Sequence, residues 1–208
     1  MGSEIAQLLS ELREDEVIAK VKSELEAGTD PNTILEMCQE GMVLVGDRFE
    51  EGEYFISELM MSGEIFNQIS EILAPGLTGT GGTKSGKIVF GTVQGDIHDI
   101  GKNLVVGLLR ASNFDVIDLG VDVPPEKFVE ALKETGAPVL ALSGLLTIAF
   151  DAMKATVKAV EDAGLRDGVK IVLGGAPVDD TVVAYAGADA AGGDAQHGVK
   201  LCKKWFNV

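Results

Sequence analysis

The hydrophobic period of this chain changes once, at a glycine-rich stretch, and that change alone demands two different kinds of core. From Glu4 to Leu73 apolar residues recur three and four apart, as in Ile5, Leu8, Leu9 and Leu12 and again in Val17, Val21 and Leu25, the pattern of amphipathic helices. Asp30-Pro31 reads as a helix start, because Asp accepts the free N–H groups of a first turn and Pro tolerates the first position. That third helix is predicted to run to about Phe49, where Glu51-Gly52-Glu53 breaks it. A fourth follows from about Ser57 to Ala74, turning Leu59, Ile65, Phe66, Ile69 and Leu73 inward before Pro75-Gly76. Four helices with short turns predict a small bundle.

Between Gly76 and Gly86 stand five glycines and three threonines with almost no apolar side chains, a composition that predicts a flexible tether. Beyond it, short β-rich runs alternate with helical ones: KIVFGTV, GKNLVVGLLRAS, FDVIDLG, PEKFVEALKETG and PVLALS, then a helix over about Ala149 to Ala163, the strand VKIVLGG, and a last strand near Ala188 before a C-terminal helix. Such alternation predicts a parallel sheet with helices on both faces. The expected architecture is therefore α plus α/β: a four-helix bundle over 1–76, a Gly/Thr-rich linker over 77–86, and a flavodoxin-like, doubly wound, five-stranded parallel sheet over 87–208.

Charge and composition narrow the function. Against 33 acidic residues stand 17 Lys and Arg, a formal charge of −16, which repels nucleic-acid backbones and anionic membranes. No run of about 18 apolar residues appears, and MGSEIAQLL lacks the basic start and apolar stretch of a signal peptide. A cytoplasmic protein with neither nucleic acid nor membrane as partner is expected. Cys38 and Cys202 stand far apart without CxxC spacing, so two buried thiols are expected rather than a disulfide framework or thiolate metal site.

Doubly wound sheets bind ligands at the carboxyl ends of the strands, where the strand order reverses. Two loops fall there: Gly95-Asp96-Ile97-His98-Asp99-Ile100-Gly101 after the first strand and Ser143-Gly144-Leu145 after the third. Taken singly, His98 reads equally well as a hydrogen-bonded loop histidine. Asp96 two residues earlier adds the option that a carboxylate holds one ring nitrogen and leaves the other to a metal. Gly101 would let a bulky ligand approach the backbone, although plain turn chemistry explains it as well.

Asp96-Ile97-His98-Asp99-Ile100-Gly101 resembles the D-x-H-x-x-G motif of proteins that bind cobalamin with a histidine replacing dimethylbenzimidazole on cobalt. The longer run GDIHDIGKNLV is similar to the subset containing the cobalamin module of methionine synthase and the corrinoid proteins of anaerobic methyltransferase systems. Ser143-Gly144-Leu145 matches its S-x-L and Gly174-Gly175 its glycine pair, and the helical half resembles its cap domain. The resemblance makes His98 the lower ligand of cobalt (base-off/His-on), Asp96 its hydrogen-bonding partner, Ser143 and Leu145 contacts to the displaced nucleotide tail, and Gly174 and Gly175 the room for it. Asp99 and Gly101 complete the motif. Where the family often reads G-A-D-G-Y, this chain has Gly187-Ala188-Asp189-Ala190-Ala191, so the tyrosine is missing. Gly52-Glu53-Tyr54-Phe55 through Met61 matches the cap's corrin-covering stretch, which nominates Phe55, Leu59 and Met60, each of which also reads as bundle core.

The function so implied is a carrier that turns over nothing by itself. Its cobalt would cycle between Co(I) and methyl-Co(III), taking a methyl group from a substrate-specific methyltransferase and yielding it to a second one acting on tetrahydrofolate, or on coenzyme M. A reductive activator would be a further partner, and methylotrophic or O-demethylating metabolism the setting. Imidazole suits a ligand that must come and go, since its basicity lies near neutrality and responds to a neighbouring carboxylate. A glycine-rich tether would let the cap move aside. The alternative is the cobalamin-binding subunit of an adenosylcobalamin mutase, which shares the motif but lacks such a cap. A cobalamin-based transcriptional sensor would need a basic DNA-binding segment, and a response-regulator receiver an acidic cluster at the first strand; neither is present in the sequence.

Overall fold

The computed structural model describes residues 3–76 and 84–208, so most of the expected linker, residues 77–83, lies outside the described residues. The chain divides into two compact units, Met1–Lys84 with Ala111–Asn113, and Ser85–Arg110 with Phe114–Val208.

The first unit is helical: α1 (Glu4–Ser10), α2 (Glu14–Glu26), α3 (Pro31–Glu50) and α4 (Ile56–Leu73). The start expected at Asp30-Pro31 forms: Asp30 accepts the Asn32 N–H at 3.0 Å with Pro31 in the first position of α3. The structure adds a second cap, the Ser3 side chain accepting the Ala6 N–H at 3.0 Å. One apolar stripe per helix is buried, formed on α4 by Leu59, Ile65, Phe66, Ile69 and Leu73. Gly41 on α3 admits the backbone of α1, since a Cβ there would stand 2.9 Å from the Ala6 carbonyl oxygen. The entry to α4 is pinned by polar contacts: Arg48 Nη1 donates to the Ser10 carbonyl at 2.7 Å and to Tyr54 Oη at 2.8 Å, while Tyr54 Oη donates to the same carbonyl at 2.8 Å.

In the second unit, β1 (Lys87–Thr92), β2 (Asp115–Asp118), β3 (Val139–Ser143), β4 (Lys170–Gly174) and β5 (Ala190–Ala191) form one parallel sheet in the order β2-β1-β3-β4-β5. This is the flavodoxin-like order, with its reversal between β1 and β3. Side chains alternate across the pleat. Val89, Leu140, Leu142, Ile171 and Leu173 face α6 (Pro125–Thr135), α7 (Ala149–Asp162) and α8 (Asp180–Ala186) through Phe128, Leu132, Met153, Val157 and Val182. The intervening Ile88, Phe90, Val139, Ala141 and Val172 are equally buried, and α9 (Ala195–Phe206) packs on β4. The remaining helix, α5 (Ile100–Ala111), follows the first-strand loop.

Two details differ from expectation. The last strand lies at Ala190–Ala191 rather than near Ala188, and α8 is an unforeseen helix between β4 and β5. Its seven residues are too few for a periodic signal. The Asp179 side chain, accepting the Val182 N–H at 3.0 Å, starts it, and burial of Val182 and Ala186 holds it down. No described helix is long and apolar enough to cross a membrane.

Candidate functional site

The sheet order sets the carboxyl ends of β1, β3 and β4 side by side, so that Thr92, Ser143 and Gly174 share one register row. Immediately beyond this row lies Asp96. Its carboxylate has no solvent exposure, yet both oxygens are fully engaged. Oδ1 accepts the His98 N–H at 2.9 Å and pairs with His98 Nδ1 at 2.7 Å; Oδ2 accepts the N–H groups of Leu145 and Leu146 at 2.7 and 3.0 Å. Burial pushes the Asp96 carboxyl up, but these donors, led by the His98 and Leu146 N–H groups, outweigh it and hold the pKa at about 2.

That balance decides the tautomer of His98. An ionised Asp96 can only accept, so Nδ1 carries the proton and donates it, and Nε2 keeps its lone pair. The ring is half exposed, with 48% of the side chain accessible, so the lone pair belongs to a side chain that a ligand can reach. Thr92 Oγ1 donates to the His98 carbonyl at 3.0 Å, fixing the backbone beneath the ring. The loop is held further by the Gly95 N–H on Asp122 Oδ1 at 2.7 Å and the Asp122 N–H on the Asp96 carbonyl at 3.0 Å.

One residue past the motif, Lys102 is almost wholly buried. Its ammonium sits 2.8 and 2.6 Å from the two Asp118 oxygens and 2.7 Å from Asn103 Oδ1. Asn103 in turn donates to Asp99, from Nδ2 to the carboxylate at 3.2 Å and from its N–H to the carbonyl at 2.7 Å. The start of α5 is thereby tied to the end of β2.

Around His98 the loops expose apolar side chains that a free surface would shed: Ile97 is 71% accessible, Ile100 69% and Ile148 66%, with Leu145 and Leu146 also exposed. The glycines are informative in different ways. Gly175, at φ +135°, is required by the protein itself, because a Cβ would stand 1.9 Å from the Gly144 carbonyl oxygen. At Gly174 and Gly101 φ is not in the left-handed region; a Cβ on Gly174 would meet only the Leu142 carbonyl oxygen at 4.0 Å, and one on Gly101 would meet nothing. Neither strain nor crowding within the protein explains these two, so their missing side chains leave space for something else.

The donor set fits a corrinoid. Among the described residues no three His, Cys, Asp or Glu side chains converge to hold a bare metal ion. A single imidazole with an oriented lone pair is what a metal already bound by four equatorial nitrogens requires, and the exposed isoleucines and leucines suit the face of a macrocycle. Cys38 and Cys202 are buried, and burial pushes both thiols up to about 12.

Asp96, His98, Ser143, Leu145, Gly174 and Gly101 thus come together at the carboxyl edge, with Asp99 at the margin. On the helical unit, Phe55 and Met60 are exposed, at 68% and 50%, beside exposed Ile56 and Met61, whereas Leu59 is fully buried on the same face as Ile65, Phe66 and Ile69. Of its two readings, bundle core is the one its burial fits. Sequence reasoning missed Thr92, Leu146 and the Lys102–Asp118 pair. Leu146 acts through its backbone N–H and leaves no side-chain signal, but a lysine directly after the glycine of the motif was a visible clue.

A B12 binding domain model matches residues 86–200, and a second B12 binding domain model matches residues 3–74. The dimethylamine corrinoid protein of Methanosarcina barkeri is 36% identical over 97% of this chain and 95% of its own length. A cobalamin-binding protein of Desulfitobacterium hafniense has a solved structure at 40% identity and a TM-score of 0.79, covering 97% of this chain and 96% of that one. The methanol:cobalamin methyltransferase complex of Methanosarcina barkeri contains a chain at 29% identity and a TM-score of 0.86, covering 98% of this chain and 78% of that one. With both units matched and the whole length aligned, the chain belongs to the B12-binding corrinoid-protein family.

Proposed function

We propose that this chain is a non-catalytic methyl carrier of the cytoplasm, holding a corrinoid base-off/His-on with His98 Nε2 as the lower ligand. The observation that carries this reading is the buried Asp96 carboxylate, whose charge fixes the proton on His98 Nδ1 and turns the basic nitrogen outward. When bound, the corrinoid supplies a cobalt centre that accepts a methyl group and gives it up.

The chain's own residues hold, orient and shield. Asp96 holds the imidazole in the tautomer that leaves Nε2 free to ligate. Ser143, Leu145, Gly174 and Gly175 would hold the displaced nucleotide tail, Asp99 and Gly101 belong to the motif loop, and the exposed Ile97, Ile100 and Ile148 would offer apolar surface to the macrocycle. On the helical domain, 1–76, Phe55 and Met60 are candidates for an apolar cover, and 77–86 serves as the linker to the cofactor domain, 87–208.

The partners are a substrate-specific corrinoid methyltransferase, a second methyltransferase acting on tetrahydrofolate or coenzyme M, and a reductive activator. Support comes from relatives named for dimethylamine and from the solved methanol:cobalamin methyltransferase complex. Those likenesses, together with the helical unit, weigh for the carrier over an adenosylcobalamin mutase subunit.

The test is to load the chain, grown with isotopically labelled histidine, with hydroxocobalamin, reduce it to Co(II), and record electron paramagnetic resonance spectra of wild type and His98→Ala. Superhyperfine splitting that follows the histidine label and disappears in His98→Ala is expected. Benzimidazole retained on cobalt in both proteins, or no cobalamin retained, overturns the reading.

A further inference from the structure

Lys102 is a buried cation to which the proposed function assigns no part. Arg13, Lys20, Lys127, Lys158, Arg166 and Lys170, the cations of other ion pairs, keep 24% or more of their side chains accessible, whereas Lys102 keeps 2%. Taking a charge out of water offsets much of its attraction to a partner, so a buried pair adds little stability that apolar side chains would not supply. What it does fix is geometry. The three ammonium hydrogens of Lys102 have three acceptors, the two Asp118 oxygens at 2.8 and 2.6 Å and Asn103 Oδ1 at 2.7 Å.

These contacts clamp the exit of the His98 loop to the segment that already clamps its entry, the turn after β2. On the entry side the Thr92 N–H donates to the Gly120 carbonyl at 2.9 Å and the Thr92 carbonyl accepts the Val123 N–H at 3.0 Å. The Gly95 N–H donates to Asp122 Oδ1 at 2.7 Å. On the exit side Lys102 grips Asp118, whose Oδ1 also accepts the Gly120 N–H at 2.9 Å. From Lys102 the tie returns toward His98 through Asn103, which donates its side-chain amide to Asp99 Oδ2 at 3.2 Å and its N–H to the Asp99 carbonyl at 2.7 Å. Asp99 follows His98 directly. Asp96 therefore orients the ring, while the backbone that carries it is held at both ends by one segment.

We infer that Lys102 is a positioning residue: through Asp118 and Asn103 it holds the loop exit in the geometry that keeps His98 on cobalt. The inference rests on His98 being the lower ligand and adds a residue that acts on it from the far end of its loop.

Wild type, Lys102→Met and Asn103→Ala, grown with isotopically labelled histidine, are loaded with hydroxocobalamin and reduced to Co(II). Electron paramagnetic resonance signals with and without a histidine nitrogen on cobalt are integrated, and circular dichroism checks the fold. The ratio of the first signal to the second is expected to fall about tenfold in Lys102→Met, the size typical of losing an outer support of a metal ligand. A smaller fall is expected in Asn103→Ala, which alters an exposed side chain and leaves the ion pair intact. Should the Asp118 charge left behind keep Lys102→Met from folding, Lys102→Met/Asp118→Asn, which removes both charges, takes its place. A wild-type ratio in either folded variant overturns the inference and leaves His98 standing as the lower ligand. Wild type with no histidine nitrogen on cobalt overturns that reading, and this inference with it.

Discussion

The loop after β1 and the start of α4 both present candidate cofactor contacts, yet they are built on opposite principles. In the loop the polar groups that hold His98 are engaged: Asp96 has four donors, Thr92 holds the His98 carbonyl, and Asp122 holds Gly95. At α4, polar contacts fix the backbone entry, through Tyr54 and through the Phe55 N–H on the Glu58 carboxylate at 2.8 Å, while Phe55, Ile56, Met60 and Met61 expose apolar surface. In the proposed reading His98 is a metal ligand, which has to be aimed to within tenths of an ångström, and the over-determined loop suits that role. An apolar cover has only to exclude water, and flexible Met and Phe side chains suffice for that.

The comparison is broken most readily at Asp96. Asp96→Ala strands four donors in the interior, and a loss of about 3–5 kcal/mol in folding stability is expected, read by urea unfolding; a loss under about 1 kcal/mol would mean that the loop is not held as described. Next in size, Leu59→Ala should cost about 2–5 kcal/mol as a buried bundle residue, whereas Met60→Ala beside it should stay within about 0.5 kcal/mol. Equal effects at the two positions would erase the division between core and cover on α4.

The smallest effect is on pH. Because the folded pKa of Asp96, about 2, lies below its ordinary value of 3.8, its contribution is fully present above about pH 4 and is lost as pH falls toward 2. About 2 kcal/mol of stability should disappear across that window. Comparison of acid unfolding in wild type and Asp96→Asn isolates it, and superimposable acid limbs in the two would contradict the assignment.

Much of this was legible in the chain before folding. The change of period located two kinds of core, Asp30-Pro31 started its helix where expected, and the spacing of Asp96, His98 and Gly101 singled out the loop. Short elements were not legible: α8 is held by Val182 and Ala186 against the sheet rather than by any periodic signal of its own. Nor was the difference between Leu59 and Met60, adjacent apolar residues that the sequence nominated alike and that burial separates.

Sequence alone determined what nearest neighbours decide: helix starts, strand runs, and the pairing of His98 with a carboxylate two residues away. Tertiary structure decided everything that depends on residues brought together from afar. Leu145 and Leu146 reach Asp96 across 49 and 50 residues of chain, Gly175 lies against Gly144, and Lys102 finds Asp118. The physical reason is that Leu145 and Leu146 contribute backbone N–H groups and Gly175 a close backbone approach, none of which marks side-chain identity, while Lys102 and Asp118, though visible as charges, become partners only once the sheet and α5 have formed.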